Sequence, residues 1–420
     1  MTARRLAAVD AQNHWMSAKM PDDQFLVYCF AGVPRDPPRT LAAVLHRARA
    51  CGELRLRVRD RGRLTYPEWA DGGVDVGQVR THTVADWPEC LAAVSALTAD
   101  QLDARTSAWR LHVFTAVRGV PGVEGEGTVA VVQMSHALAD GKRSAALAAW
   151  LFGRPTPVDA VPVAPWETAT LPVRAVRAAR GHRQLMRDVD AGVVAAQADP
   201  RPALRSNALP AEERGLRVLI RRRAALGTAT VTVGVLAAVS RALADHLREL
   251  GDDPSSLGAE VPMAGPGPRR ANNHFGNVGV GLHPDLPYPE RRARIAEELA
   301  QRRQRAAHPG MRAAALASAA VPAPLVRWGV RAFDPSVRSP TATGNTVVSS
   351  VHRGAADLYF GGAPVVLTTG CPSVSPMMGL THGVHGIGDT VAVSVHAAES
   401  AVGDIDAYVS RLAGALDRRA

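Results

Sequence analysis

The sequence predicts an α/β protein of two lobes, each a mixed sheet flanked by helices. Strand-like and helix-like segments alternate along the chain, break once at a proline- and arginine-rich stretch from about Gly153 to Pro202, and then resume. The 420 residues, 46 % hydrophobic and 21 % charged, can bury two cores of ordinary soluble composition. No Gly-x-Gly-x-x-Gly start of a dinucleotide fold opens either half. The lobes are therefore expected at residues 1–152 and 206–420, with 153–205 as the crossover.

Each element has its own signal. Gln24–Gly32 is an apolar strand ending at glycine, Leu41–Cys51 has helical spacing, and Leu54–Val58 alternates apolar with basic residues as a half-exposed strand does. Trp109–Val117 and Thr128–Met134 read as two strands joined by the glycine-rich turn Gly119–Gly127. The second is continuous and β-branched, as strands buried on both faces are. It runs directly into Ser135-His-Ala-Leu-Ala-Asp-Gly141 and a helix, Lys142–Leu151. In the crossover, Pro155, Pro157, Pro162, Pro165 and Pro172 precede a helix over Val173–Val189. Its Arg174, Arg177, Arg180, Arg183 and Arg187 fall on one stripe, expected to be a solvated face or a clamp between lobes. The second half offers strands at Leu216–Ile220, Glu260–Met263, Asn277–Leu282, Thr346–Val351, Pro364–Thr369 and Thr390–His396. Helices are expected at Thr230–Leu247, Glu290–Ala307 and Ile405–Leu416.

Composition excludes several function classes. A net charge of +10 is compatible with nucleic acid, anionic lipid or a phosphorylated small molecule as partner. All basic residues except Lys19 and Lys142 are arginine, which points to biased residue usage on solvated faces. Aromatic residues are 5 % of the chain and do not interleave with the basic clusters, and no zinc-finger, RRM or zipper pattern occurs, so nucleic acid is not the expected partner. No apolar run reaches 18 residues and the start lacks a signal-peptide core. Cys29, Cys51, Cys90 and Cys371 show no CxxC spacing or disulfide framework. A cytoplasmic, reduced protein is the expectation.

The sharpest chemical feature is His136-x-x-x-Asp140-Gly141. A histidine at the exit of a buried strand is held by rigid backbone, and its neutral imidazole can take a proton near neutral pH. Asp140 is placed to cap the following helix or to pair with a buried arginine, and Asp-Gly favours a tight turn. By spacing alone the same residues also fit an ordinary strand–helix junction. Rival chemistries fail: Gly141-Lys142 looks like the end of a P-loop, but Arg143 stands where Ser or Thr must bind magnesium and His136 where the first glycine belongs. There is no Gly-x-Ser-x-Gly elbow. His382 and His385, three apart, face opposite ways on a strand, so no metal site is assigned.

Taken together with the rest of the chain, the motif resembles the bacterial wax ester synthase/diacylglycerol acyltransferase family, within the chloramphenicol-acetyltransferase-like superfamily that also holds peptide-synthetase condensation domains. The resemblance runs from about Leu6 to Leu416. It includes Leu102-Asp103…Trp109-Arg110-Leu111-His112, Ala164-Pro165-Trp166, Val261-Pro262-Met263 and Asn272-Asn-His-Phe-Gly-Asn277. Near the end come Leu358-Tyr359-Phe360-Gly-Gly362-Ala363-Pro364-Val365 and Gly379-Leu380…Val384-His385. Four signatures depart from the family. Ser135 replaces the first of two histidines, while the catalytic second one maps to His136. The family's Asn-Asp pair maps to Thr232-Val233, its Asn-Val-Pro-Gly-Pro loop to Ser350-Val351-His352-Arg353-Gly354, and its Pro-Leu-Trp to Ser107-Ala108-Trp109.

The resemblance implies two chloramphenicol-acetyltransferase-like lobes with a tunnel between them, no permanently bound cofactor, and acyl-CoA as co-substrate. Acyl-CoA and a hydroxyl-bearing small molecule or lipid would meet at His136, the general base, without a covalent acyl-enzyme. Asp140 and Gly141 would hold the loop. Thr232 and Ser350 are candidate oxyanion donors, and Ser135, His352 and Arg353 candidate substrate donors. The polar His352 and Arg353 suggest an acceptor more polar than a fatty alcohol or diacylglycerol. The family context also leaves room for peripheral membrane or lipid-droplet contact. Two other readings stay open: a non-catalytic or rearranging acyl-binding member, and a condensation-like enzyme that takes its donor from a carrier protein and acylates an amine.

Overall fold

Two six-stranded sheets organise the chain, seen in a computed structural model that describes residues 4–164, 167–210, 213–227 and 230–417. Pro165 and Trp166 of the linker motif lie outside these. In the first sheet, Gln24–Phe30, Glu126–Met134 and Trp109–Arg118 are antiparallel neighbours, and Val79–His82 joins the Trp109 edge in parallel. The other edge is formed by Ala363–Gly370 and Tyr359–Phe360, so residues from the second half of the chain complete the first sheet. The second sheet runs Phe275–Gly281, Gly258–Ala264, Thr346–His352, Leu380–Ile387, Thr390–Ala398, Arg214–Arg222. Its three central strands are parallel, and the outer pairings are antiparallel.

Strand alternation distributes the side chains. Leu26, Tyr28 and Phe30 enter a core with the Gly141–Leu151 helix and the Pro37–Ala50 helix. Phe25, Val27 and Cys29 point the other way, into a core shared with Trp87, Cys90 and Leu91 of one helix and Leu216 of the second sheet. A strand buried on both faces has no place for polar residues, which is why Gln24–Phe30 reads as a continuous apolar run. The second sheet packs its outer face on Val231–Glu249 and Ile405–Asp417.

The expected elements are present with small shifts. Leu54–Val58 is the exception: Gly52–Arg55 form a 3₁₀ turn, and the strand is Leu56–Arg59, paired with Glu68–Asp71. Helices Ala8–Met16, Trp87–Leu97, Pro309–Ala319 and Ala323–Ala332 and the strand Leu380–Ile387 were not legible. That strand contains Gly383 and Gly386, which weaken strand propensity; pairing on both sides holds it in place. The crossover helix is Leu171–Asp190. It crosses Pro309–Ala319 where Gly181 meets Gly310, a contact so close that a Cβ on Gly181 would sit 2.9 Å from the Gly310 Cα. Arg177, Arg180, Arg183 and Arg187 are exposed, while Arg174 binds Glu167 and the Leu316 carbonyl. Most of the stripe is a solvated face. Among the described residues no single helix is long and apolar enough to cross a membrane.

Leu111 is fully buried in the first core, so Leu111→Ala is expected to lower unfolding free energy by about 2–5 kcal/mol. Arg177→Ala, on the exposed stripe, should change it by no more than about 0.5 kcal/mol. Urea unfolding of both variants checks the contrast.

Candidate active site

The turn after Glu126–Met134 delivers His136 to a cavity of about 370 Å³ between the lobes. Asp140, Phe25 and Leu26 line it from the first lobe; Met263, Phe275, Ser350 and Val351 line it from the second. The Phe275 ring lies 5.5 Å from the His136 ring, centroid to centroid. Nδ1 of His136 is 2.8 Å from Asn273 Oδ1. The amide of Asn273 cannot be turned over, because its Nδ2 donates to the His136 carbonyl at 2.6 Å and to Asp10 Oδ1 at 2.9 Å, both pure acceptors. Oδ1 therefore faces the imidazole, and this contact, much shorter than the 3.5 Å from Asn13 Nδ2 to the same nitrogen, assigns the proton to Nδ1. Nε2 is left with its lone pair. Asp10 closes the chain by also accepting from the backbone N–H groups of Asn272 and Asn273, each at 2.9 Å.

Burial lowers the His136 pKa below its ordinary 6.5, opposed by the hydrogen bonds to its own carbonyl and to Asn273 and by the Asp140 charge. The ring is thus neutral at neutral pH, the state a base requires. Burial pushes the Asp10 carboxyl up to about 6 against the pull of its three amide donors.

Asp140 acts as both cap and ion pair. Its Oδ1 accepts from the Arg143 N–H at 3.0 Å, opening the Gly141–Leu151 helix. From the other half of the chain, Arg269 approaches to 2.8 Å and the His274 N–H donates at 2.9 Å. Burial alone would raise this carboxyl, but Arg269 and the two backbone donors hold it below the usual range. Gly141 lets the second lobe come close: a Cβ there would meet Val351 Cγ2 at a tight 3.2 Å. The Asp140–Gly141 pair thus seats the first lobe's helix against the second lobe's central strand.

The other expected site residues divide. Ser350 lines the cavity, and Thr232, itself outside the lining, donates to Ser350 Oγ at 3.0 Å. Ser135 is buried and is not part of the cavity wall, so it meets no substrate there. The segment 350–354 is not all loop, because strand pairing continues through His352, opposite Gly386. Proline, which the family has at that position, cannot donate to such a ladder. Alternation then sends His352 to the solvent face, where its Nδ1 accepts from the Gly354 N–H; His352 is no substrate donor. Arg353 lies on the opposite face with Val347, Ser349 and Val351. It is a buried residue of the cavity wall rather than an exposed loop cation. His382 and His385 do face opposite ways: His382 bonds Thr346 and Tyr408 in the second core, while His385 lines the cavity.

Asp10, Asn273 and Arg269 were missed. The Asn272–Asn277 segment stood out only as a family match, since no short-range spacing reveals that a residue 137 positions away holds the histidine.

The matching family models cover most of the chain: the wax ester synthase/diacylglycerol acyltransferase catalytic domain over residues 30–253 and the WS/DGAT C-terminal domain over residues 271–418. The chain belongs to this acyltransferase family. Among solved structures, it is similar to the wax ester synthase/diacylglycerol acyltransferase from Marinobacter aquaeolei VT8, with 19 % identity, 98 % of each chain covered and a TM-score of 0.62. A starter condensation domain of rhizomide synthetase RzmA, in complex with C8-CoA and Leu-SNAC, matches with 14 % identity over 99 % of this chain and 93 % of that one, at a TM-score of 0.59. The condensation domain of the monacolin K polyketide synthase MokA matches with 15 % identity, 99 % and 97 % coverage and a TM-score of 0.56. These likenesses show the fold, two chloramphenicol-acetyltransferase-like lobes. No curated protein sequence matches.

Two outcomes are expected of this acyltransferase. Asn273→Ala should cut kcat/KM about 10²-fold, at the low end of what a positioned base contributes. The variant also loses the hydrogen bond that raises the His136 pKa, so its acid limb should move to lower pH than the wild type's, itself below 6.5. A pH–rate profile of both proteins reads this. Asp140→Asn keeps a cap but loses the charge facing Arg269, and is expected to cost roughly 2–4 kcal/mol in urea unfolding. Turnover per folded molecule should suffer no more than stability does.

Proposed function

We propose that the protein transfers an acyl group from acyl-CoA to the hydroxyl of a small acceptor, with His136 as general base. The observation that carries this reading is the fixed tautomer: Asn273 holds Nδ1–H, which leaves the Nε2 lone pair free on a residue that lines the cavity between the lobes. Nε2 takes the acceptor proton as the hydroxyl oxygen attacks the thioester carbonyl. The tetrahedral intermediate then collapses, the C–S bond breaks, and Nε2 returns the proton to the departing thiolate. The negative oxygen of the intermediate needs a donor. Ser350, a residue of the cavity lining, is the candidate: its oxygen accepts from Thr232, and its own proton is not committed to a partner among the described residues. Thr232 lies in the first turn of Val231–Glu249, whose positive end favours the same charge. Neither Ser135 nor His352 enters the mechanism.

Acyl-CoA as donor is supported by the C8-CoA held by a structural neighbour of the same fold. It is also supported by Lys142, which lines both the cavity and an adjoining hollow of about 410 Å³ bordered by Arg143 and Arg269. The buried cation in the wall favours an acceptor more polar than a fatty alcohol or diacylglycerol.

Incubation with acyl-CoA and a panel of alcohols and amines, with free thiol followed, tests the reading. Acceptor-dependent thiol release is expected, and His136→Ala should lower it by about 10²–10⁴-fold with an unchanged circular dichroism spectrum. Near-full turnover in that variant, or amine-only acceptance, would contradict it.

A further inference from the structure

The cavity wall contains a positive charge with no negative partner. Arg353 is 5 % exposed, and no carboxylate pairs with it among the described residues. Its Nη1 donates to neutral oxygens, the Val27 carbonyl, the Thr368 hydroxyl and the Thr369 carbonyl, and the Tyr28 hydroxyl is a further neutral partner. Nε has no partner at all. Beneath the guanidinium lies the Tyr28 ring, 5.1 Å from Cζ, a favourable but uncharged neighbour. A buried guanidinium without a countercharge is costly, and the cost is recovered only when a negative group completes the pair.

A second group beside it is also incomplete. His385 is 6 % exposed, lines the same cavity, and leaves Nδ1 without a partner. The two sit on neighbouring strands, since the Arg353 N–H donates to the Gly386 carbonyl at 2.7 Å. Two glycines make room for the imidazole. A Cβ on Gly370 would come within 2.8 Å of its Cε1, and one on Gly383 within 2.5 Å. Burial and the Arg353 charge both keep His385 neutral, so it can donate or accept without adding charge.

The carboxylates that line the cavity are elsewhere. Asp23 is taken up by the Leu102 N–H and Gln133. It lies four residues from Val27 along an extended strand, about 13 Å. Asp22 adjoins it, and Asp140 is committed to Arg269 and to the Arg143 and His274 N–H groups, so none of the three pairs with Arg353.

We propose that Arg353 and His385 form an anion subsite that binds a carboxylate on the acceptor, so that the preferred acceptor is a hydroxy acid. The planar guanidinium suits the two oxygens of a carboxylate, and the imidazole supplies a further hydrogen bond. Val351, two residues before Arg353, touches the Gly141 turn of the His136 loop, which places the subsite about 7 Å of strand beyond that contact. His136 and Arg353 line the same cavity, so a hydroxyl at one and a carboxylate at the other can belong to one molecule. This assignment rests on the acyl-transfer reading of the same cavity.

The test measures free-thiol release by the full chain with octanoyl-CoA and hydroxy acids of graded length, each beside its matched plain alcohol and its methyl ester. At the best length the hydroxy acid should exceed the alcohol about tenfold or more in kcat/KM, as charge-assisted hydrogen bonds do. That ratio should collapse toward one in Arg353→Gln and fall several-fold in His385→Gln, each checked for folding by circular dichroism. If Arg353→Gln does not fold, the wild-type ratio and His385→Gln decide. A second arm pairs plain alcohols with an acyl-CoA carrying a terminal carboxylate; a preference there places the anion on the donor and overturns the acceptor assignment. Melting temperature with hydroxy acid alone needs no turnover. If no acceptor releases thiol, the acyl-transfer reading fails, and a carboxylate-dependent rise in melting temperature lost in His385→Gln still supports the subsite. Equal rates for hydroxy acid and alcohol, or no such rise in an inactive protein, overturn it.

Discussion

The site depends on one carboxamide. Asn273 hydrogen-bonds Asp10, the His136 carbonyl and the His136 ring at once, and so ties the first helix, the motif turn and the segment before the second lobe's edge strand into one network. The two-sided contact fixes which ring nitrogen carries the proton, and that choice decides whether the histidine can act as a base. Asp140 makes a parallel connection a few residues on. Its bonds to Arg269 and to the His274 N–H join the same two parts of the chain, and Gly141 lets Val351 approach. Histidine, capping aspartate and glycine thus form one lobe-to-lobe joint, with the proposed base in its middle.

Seen this way, the altered family signatures are unequal. The exchange of Ser135 for histidine falls on a residue outside the cavity wall and leaves the His136 geometry intact. The pair Thr232–Ser350 replaces amide side chains with hydroxyls that bond each other, which leaves the Ser350 O–H uncommitted. The exchange at 352 and 353 extends a strand by keeping its ladder, and strand alternation then decides the rest: one side chain goes to solvent and the other into the wall. A change that reads as a polar loop in sequence is in three dimensions the insertion of a single buried cation.

The two-lobe α/β order was legible because its strands are long, apolar and β-branched, as in Glu126–Met134, and because helices such as Val231–Glu249 keep a sustained period. Leu380–Ile387 was not, since glycines and histidines on a strand held from both sides give no local signal. Strand exchange of Ala363–Gly370 into the first sheet was equally invisible, because its partner Gln24–Phe30 lies more than three hundred residues away. In the site, His136, Asp140 and Gly141 sit within one turn and could be read together. Asp10, Arg269 and Asn273 act from the far ends of the fold, and only tertiary packing brings them there.

The central claim is that burial holds His136 neutral while Asn273 holds its proton on Nδ1 and leaves the lone pair on Nε2. Nitrogen-15 NMR of histidine-labelled protein at neutral pH, with His136 assigned by substitution, measures this directly. The account predicts a protonated Nδ1 and an unprotonated Nε2 for His136. A proton on Nε2, or an imidazolium with both nitrogens protonated, would contradict it.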